Sequence, residues 1–354
     1  MSLTKYKDIA LSILKELISI QSFSKEENHV ADLMEKKLDE FGYQVNRVGN
    51  NVWVFNKDFK EGRPVLLMNS HLDTVKPNEK WSKDPFTPEE IEGKLFGLGS
   101  NDAGGCLVSL MATFLALEET QQDYNRVFCA SAEEEISGKN GFELVQDKIG
   151  RIDVGIVGEP TLMEMAIAEK GLMVLDCEAK GVPGHAARNE GVNAIGVAMN
   201  DIEWFHTFQF ENESEMLGPV KMTVTQINAG KQHNVIPASC TYVVDVRTNE
   251  FYSNEKAFEI IEEHVESTVR ARSFRMNSSG ISLEHPLIKK GLKQGMKYYG
   301  SPTTSDQAIM KGFPTLKLGP GDSARSHTAD EFIYIKEIGK GIEKYYNLLN
   351  GLEI

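Results

Sequence analysis

The sequence contains no long block of lysine or arginine, no closely spaced cysteine pair and no apolar run of bilayer-spanning length. Each absence closes a class of function. With a formal net charge of −14, the chain offers no electrostatic footprint for a polyanion, so no nucleic-acid partner is expected. Cys106, Cys129, Cys177 and Cys240 are scattered and form no CxxC pair, which predicts reduced core thiols in a cytoplasmic protein. The opening stretch MSLTKYKDIALSILKELISI lacks an export signal's basic start, apolar block and small-residue cleavage site. Its interleaved Ile, Leu, Lys and Glu suit an amphipathic surface helix, and no membrane partner is expected. The phosphate-binding GxxxxGK[ST] loop and the GxSxG nucleophile elbow are both missing. GLGSND fails the dinucleotide fingerprint, because Asp102 stands where its last glycine is required.

What is present is an ordinary globular composition over 354 residues, enough for two domains or for one large domain with an insertion. The first half alternates helical and strand patterns. Helices are predicted over roughly Tyr6–Ile20, Asn28–Phe41 and Gly105–Leu117, and strands over Val52–Phe55, Val65–Met68, Val127–Ala130 and Val154–Val157. Such alternation predicts a mainly parallel sheet covered by helices. From about Lys170 the order becomes strand, helix, two strands, helix and a final strand in RARSFRMNS, which is the ferredoxin-like signature. The helix-strand texture then returns. The expected fold is therefore an α/β catalytic domain, residues 1–169 and 281–354, interrupted by an inserted α+β domain, residues 170–280.

Ligands of open α/β sheets bind beyond the carboxyl ends of the strands. Four strand-like runs here lead to potential metal ligands: Val65–Met68 to His71 and Asp73, Val127–Ala130 to Glu133, Glu134 and Glu135, Val154–Val157 to Glu159, and Thr315–Leu318 to His327. Asp102 lies just before the helix that begins near Gly105, where taken alone it would read as a helix cap. A single histidine after a strand, or an acidic triplet in a loop, is an ordinary surface feature. Their repetition at one edge of one sheet favours metal chemistry. Two histidines and several carboxylates without cysteine suit Zn²⁺ or a related divalent ion, and the donors are too many for one tetrahedral ion. Two ions sharing a bridging carboxylate is the natural count, with Asp73 orienting His71 and one carboxylate left as general base. A glycosidase carboxylate pair would leave His71 and His327 without work.

The ordered set SHLDTV, GLGSNDAGG, SAEEEISG, VGEPT, GVPGHAAR, HNVIPA and SHTADE resembles the M20 family of zinc-dependent amidohydrolases and peptidases over essentially the whole chain. The resemblance implies a zinc-peptidase-like catalytic domain carrying an inserted dimerisation or lid domain. It implies one Zn²⁺ on His71, Asp102 and Glu159 and a second on Asp102, Glu135 and His327, with Co²⁺ or Mn²⁺ as substitutes. Glu134 is the implied general base. His185, in GHAAR, resembles a histidine that acts in trans across a homodimer, and Asn234 and Arg247 match substrate-contacting positions. The implied reaction is hydrolysis of the amide of a small N-acyl amino acid, first N-acetylornithine in arginine biosynthesis. N-succinylornithine, N-succinyl-diaminopimelate and dipeptides are alternative substrates. A succinyl group would need a further cation, for which Lys231, Arg188, Arg272 and Arg325 are available. A non-catalytic binding protein on the same fold would be expected to have lost Glu134 or a ligand, and all are present. The chain departs from the common D-x-K-G-G pattern in reading DAGGC, with Gly104 for lysine and Cys106 for the second glycine, which leaves open how this helix packs.

Overall fold

The computed structural model describes residues 2–354, and the chain divides into two compact units. One runs to Ile167 and takes up Gly280–Tyr299 and Ser305–Ile354; the other comprises Ala168–Ser279 and Gly300–Thr304. The return of Gly300–Thr304 to the second unit has no pattern in the sequence. It follows from hydrogen bonds to the main chain of Lys170, whose N donates to Ser301 O at 3.1 Å and whose O accepts from Thr304 Oγ1 at 3.2 Å.

The first unit is built on a mixed sheet. At its centre four strands lie side by side and parallel in the order Asn125–Ser131, Val65–His71, Val154–Val157, Thr315–Lys317. These are the four runs expected to carry the site. Antiparallel strands flank them, Asn51–Phe55 on one side and Met165–Glu169 on the other. Every residue of the two long central strands is buried, as their continuous apolar texture requires of strands covered on both faces. The strand from Val65 extends through His71, so His71 is the last strand residue.

The helix Gly105–Leu117 is buried on all sides and forms a core element of this unit. Contrary to the expectation that no run reaches bilayer-spanning length, Ser100–Leu117 passes for one by length and composition, at a mean hydropathy of 1.2, but 94% of it is buried inside the fold. Its glycine-rich start explains the departure from the D-x-K-G-G pattern. A Cβ on Gly104 would lie 2.6 Å from Gly99 O and 2.7 Å from Leu14 Cδ1, so no lysine fits there without moving backbone. Cys106 is a buried thiol that donates to Pro320 O at 3.1 Å. A three-stranded antiparallel sheet, Phe332–Tyr334, Lys94–Phe96 and Glu89–Ile91, has no counterpart in the sequence reading, because its strands are too short to show a period.

The second unit is a four-stranded antiparallel sheet in the order Lys221–Ala229, Ser239–Arg247, Met173–Lys180, Thr268–Ala271. With the helices Ala194–Thr207 and Asn254–Glu262, this is the ferredoxin-like arrangement. Its last strand, Thr268–Ala271, begins two residues before the predicted segment RARSFRMNS and covers only its first two residues, since the second helix ends at Glu262 and the chain enters the sheet early. Met173, Leu175, Cys177, Tyr242, Val244 and Val246 form its core with Ala198 and Phe205 of the first helix.

Candidate metal centre

Parallel neighbours end at the same edge of a sheet, and this is what gathers the acidic and imidazole groups. His71 closes its strand; Glu134 and Glu135 follow the strand ending at Ser131; Glu159 follows Val157 by two residues. His71 Nε2 lies 3.4 Å from Asp102 Oδ1 and 3.8 Å from Glu159 Oε1. His327 Nε2 lies 2.9 Å from Glu135 Oε2 and 3.6 Å from Asp102 Oδ2. The two carboxylate oxygens of Asp102 therefore face two different imidazoles. His71, Glu134 and Glu159 bring three donor atoms within 4.8 Å of one another, and so do His71, Asp102 and Glu135. Asp102 is not a helix cap. It sits in a non-helical stretch with φ −120° and ψ 98°, ahead of a helix whose start has no side-chain cap.

Asp73 does more than was expected of it. His71 Nδ1 donates to the carbonyl oxygen of Asp73 at 2.9 Å, while the carboxylate stands 3.5 Å off. The main chain thus sets the tautomer and leaves Nε2 as the nitrogen turned toward Asp102 and Glu159. The carboxylate is occupied elsewhere. It accepts the backbone N–H of Glu134 at 3.0 Å, that of Glu135 at 3.1 Å and the Ser24 hydroxyl at 2.6 Å. The neighbouring Glu133 holds φ 55° and accepts both the backbone and side-chain N–H groups of Asn140. Its own N–H donates to the buried Glu27 at 3.1 Å. Ser24 and Glu27 carry no motif that sequence reading detects.

Electrostatically the cluster holds more carboxylates than its two imidazoles neutralise. Burial and the charges of Asp102 and Glu135 push the Glu159 carboxyl up to about 8. Burial and Glu159 raise Glu134 well above the carboxylate range. Glu135 is raised by burial as well. Hydrogen bonding to Glu135 lifts His327 to about 9. Burial opposes charge on His71, but Asp102 and Asp73 outweigh it and hold the imidazole well above its ordinary value. Glu159 Oε1 is shielded from solvent and has no hydrogen-bond partner among the described residues. A buried carboxylate oxygen without a donor is costly unless a cation completes it, so the residues present fit divalent metal ions.

Two further buried carboxylates escaped the sequence reading. Asp306 Oδ2 accepts from Asn69 Nδ2 at 2.9 Å and Ser131 Oγ at 2.6 Å, and burial raises its carboxyl to about 6. Glu331, 2% exposed, accepts the backbone N–H groups of Gly99, Asn101 and Asp102. It stands inside SHTADE, four residues beyond His327, and that position was its only signal.

His185, Asn234 and Arg247 belong to the second unit. His185 and Asn234 lie on adjoining segments, Ala186 N donating to Asn234 O at 3.0 Å, and both side chains are exposed. His185 Nδ1 accepts from Ala187 N at 3.1 Å, which leaves the proton of the neutral ring on Nε2. Arg247 is half-buried and forks onto its near neighbour Asp245 at 2.7 and 3.0 Å, with Nη1 on Thr304 Oγ1 at 3.1 Å. Of the other candidate cations, Arg325 is bidentate to Glu337, Arg272 is bidentate to Asp176, and Arg188 stands 4.0 Å from Glu190. Lys231 is exposed and lines a groove of 560 Å³ with Pro183, Asn228 and Val235.

A sequence model described as Peptidase family M20/M25/M40 matches residues 67–351. A succinyl-diaminopimelate desuccinylase of Orientia tsutsugamushi is 24% identical over 374 residues, covering 97% of this chain and 96% of its own length. An acetylornithine deacetylase of Proteus mirabilis is 29% identical over 288 residues, covering 76% and 74%. The crystal structure of a dinuclear metal-binding peptidase of the M20 family from Bacillus subtilis matches with a TM-score of 0.73 at 14% identity, covering 98% of both chains.

Proposed function

Because the chain belongs to Peptidase family M20/M25/M40, and is thereby a hydrolase of amide bonds, we propose that its substrate is a small N-acyl amino acid cleaved at a two-metal centre, N-acetylornithine first. The observation that carries this reading is the unpartnered Glu159 Oε1 within a cluster of carboxylates and imidazoles 2.9–3.8 Å apart. His71, Asp102 and Glu159 would hold one Zn²⁺, and Asp102, Glu135 and His327 the other, Asp102 serving both. What divalent ions supply at such a centre is Lewis acidity, which polarises the amide carbonyl and acidifies water.

The chain's own residues do the rest. Glu134 is anchored through its backbone to Asp73, and its buried carboxyl has a high proton affinity. It takes the proton of the attacking water and hands it to the departing amine nitrogen. His185 of the partner subunit, its Nε2–H free to donate, stabilises the oxygen that gains charge as the carbonyl is attacked. Arg247 pairs with the substrate's α-carboxylate, which competes with Asp245 for the guanidinium fork, and Asn234 contacts the substrate beside it.

A second reading, an N-succinyl substrate, draws on the relative named succinyl-diaminopimelate desuccinylase. Its extra carboxylate would need one of four spare cations, of which Arg272, Arg325 and Arg188 already face a carboxylate of this chain and Lys231 is exposed. The deciding experiment is metal analysis followed by amine release from N-acetylornithine, N-succinylornithine, N-succinyl-diaminopimelate and a dipeptide. Inactivity on the three acyl amino acids with two zincs bound would overturn the acyl-amino-acid reading in favour of peptides.

A further inference from the structure

Resting on the two-metal reading, we infer that Glu331 is a positioning residue for the bridging carboxylate of Asp102. Three main-chain N–H groups of one short loop converge on the Glu331 carboxylate: Asn101 N at 2.8 Å and Asp102 N at 2.9 Å on Oε1, and Gly99 N at 3.1 Å on Oε2. This loop is neither helix nor strand at Asp102, so those N–H groups have no ladder to join. Glu331 takes the place of that ladder. A carboxyl group held by three backbone donors is a stiff arrangement, because three bonds fix its two oxygens at a site only 2% exposed.

The position of the clamp gives it a role beyond loop stability. It grips the amide nitrogen of the very residue whose two carboxylate oxygens face His71 and His327, at 3.4 and 3.6 Å. It also arrives on the segment that delivers His327. That segment is held in an unfavourable shape: His327 and Asp330 both have positive φ, 59° and 53°. Such backbone persists only where surrounding contacts over-determine it. Asp330 accepts Ser82 N, Ser82 Oγ and Lys83 N at 2.9, 2.6 and 3.0 Å, and Glu331 adds its three bonds. One short segment therefore presents an imidazole to the side chain of Asp102 and a carboxylate to its backbone. The two metal-facing groups are registered against each other by a residue that touches neither ion. Hydrogen bonds behind metal ligands are typically worth 10–100-fold in metal affinity or activity.

The test is Glu331→Gln in the full chain. The amide keeps one acceptor oxygen but turns an N–H₂ against a backbone N–H. The readouts are Zn²⁺ affinity by competition with a chromophoric chelator and the visible absorption spectrum of the Co²⁺-loaded protein. A loss of about 10-fold or more in affinity, with an altered Co²⁺ spectrum, is expected. Leu348→Ala, a core truncation in the helix Ile335–Leu349, supplies a destabilised control that leaves affinity and spectrum unchanged. If Glu331→Gln yields no folded protein, Glu331→Asp replaces it with the same readouts, being one methylene too short to reach all three donors. An affinity within twofold of the parent and an unchanged spectrum would overturn the inference and leave Glu331 a loop-stabilising residue. A parent protein that binds no divalent ion would instead overturn the proposed function on which the inference rests.

Discussion

The carboxylate of Asp73 holds the backbone of Glu134, Oδ1 accepting the Glu134 N–H at 3.0 Å while Oδ2 accepts that of Glu135 at 3.1 Å. One side chain thereby sets the height of the proposed base and of a proposed ligand above the sheet edge. Asp73→Asn keeps the size but offers an N–H₂ group to one of those N–H donors. Turnover should fall by roughly 10–100-fold, with kcat changing more than KM, because substrate is contacted by neither atom. Steady-state kinetics at saturating zinc checks this, and a loss confined to KM would refute the positioning role.

Glu134 itself should be separable from metal binding. Its Gln variant is expected to retain two zincs and lose on the order of 10²–10⁴ in kcat, the range of a general acid–base group. Metal content by elemental analysis, together with the rate of amine release, decides it. Near-normal turnover in a metal-replete variant would remove Glu134 from the mechanism.

Stability of the chelated protein should fall as pH rises from about 5.5 to 8. The sign follows from the folded state's proton affinities. Glu159 is raised to about 8, Glu134 and Glu135 are raised, and His327 is raised to about 9. In this window the native state binds more protons than the unfolded chain, so releasing them favours unfolding. Asp73 and Asp102 are lowered from the ordinary carboxylate value, and their contribution is lost only in more acidic solution, outside the window. Calorimetry of the metal-free protein should show a lower Tm at the higher pH, and added Zn²⁺ should reverse it. A metal-free Tm that rises across this interval would contradict the buried cluster.

Action of His185 across a dimer makes a prediction that no single variant can. His185→Ala and Glu134→Gln should each be inactive alone. Unfolded together and refolded as mixed dimers, they should regain about a quarter of the parent activity, because each hybrid carries one complete site and hybrids form half the population. No recovery in a mixture shown to contain hybrids would place His185 outside the partner's site.

Much of the fold was legible because it rests on local periodicity. The continuous apolar runs of Val65–His71 and Asn125–Ser131 signal strands buried on both faces, and the alternation along Met173–Lys180 signals a sheet with one face open. The short strands Glu89–Ile91 and Lys94–Phe96 fell below the length at which a period shows. Among the candidate site residues, His71, Glu135, Glu159 and His327 were picked out by type and place at strand ends and Asp102 by its place before a helix, and the structure brings all five together. Ser24, Glu27 and Asp306 were not, because side chains that serve only internal hydrogen bonds leave no spacing behind.

What the sequence alone determined was which residues meet. Each group of the cluster follows its own strand or precedes its own helix, and chain connectivity carries it to the carboxyl edge once the sheet forms. What only the tertiary structure decided was how they are held. The Asp73 clamp joins residues 61 positions apart, and the Glu331 clamp on Asp102 joins residues 229 apart. Both bind main-chain N–H groups, which every residue except proline possesses. A contact made to backbone imposes no residue type on its partner, so only the folded chain reveals it.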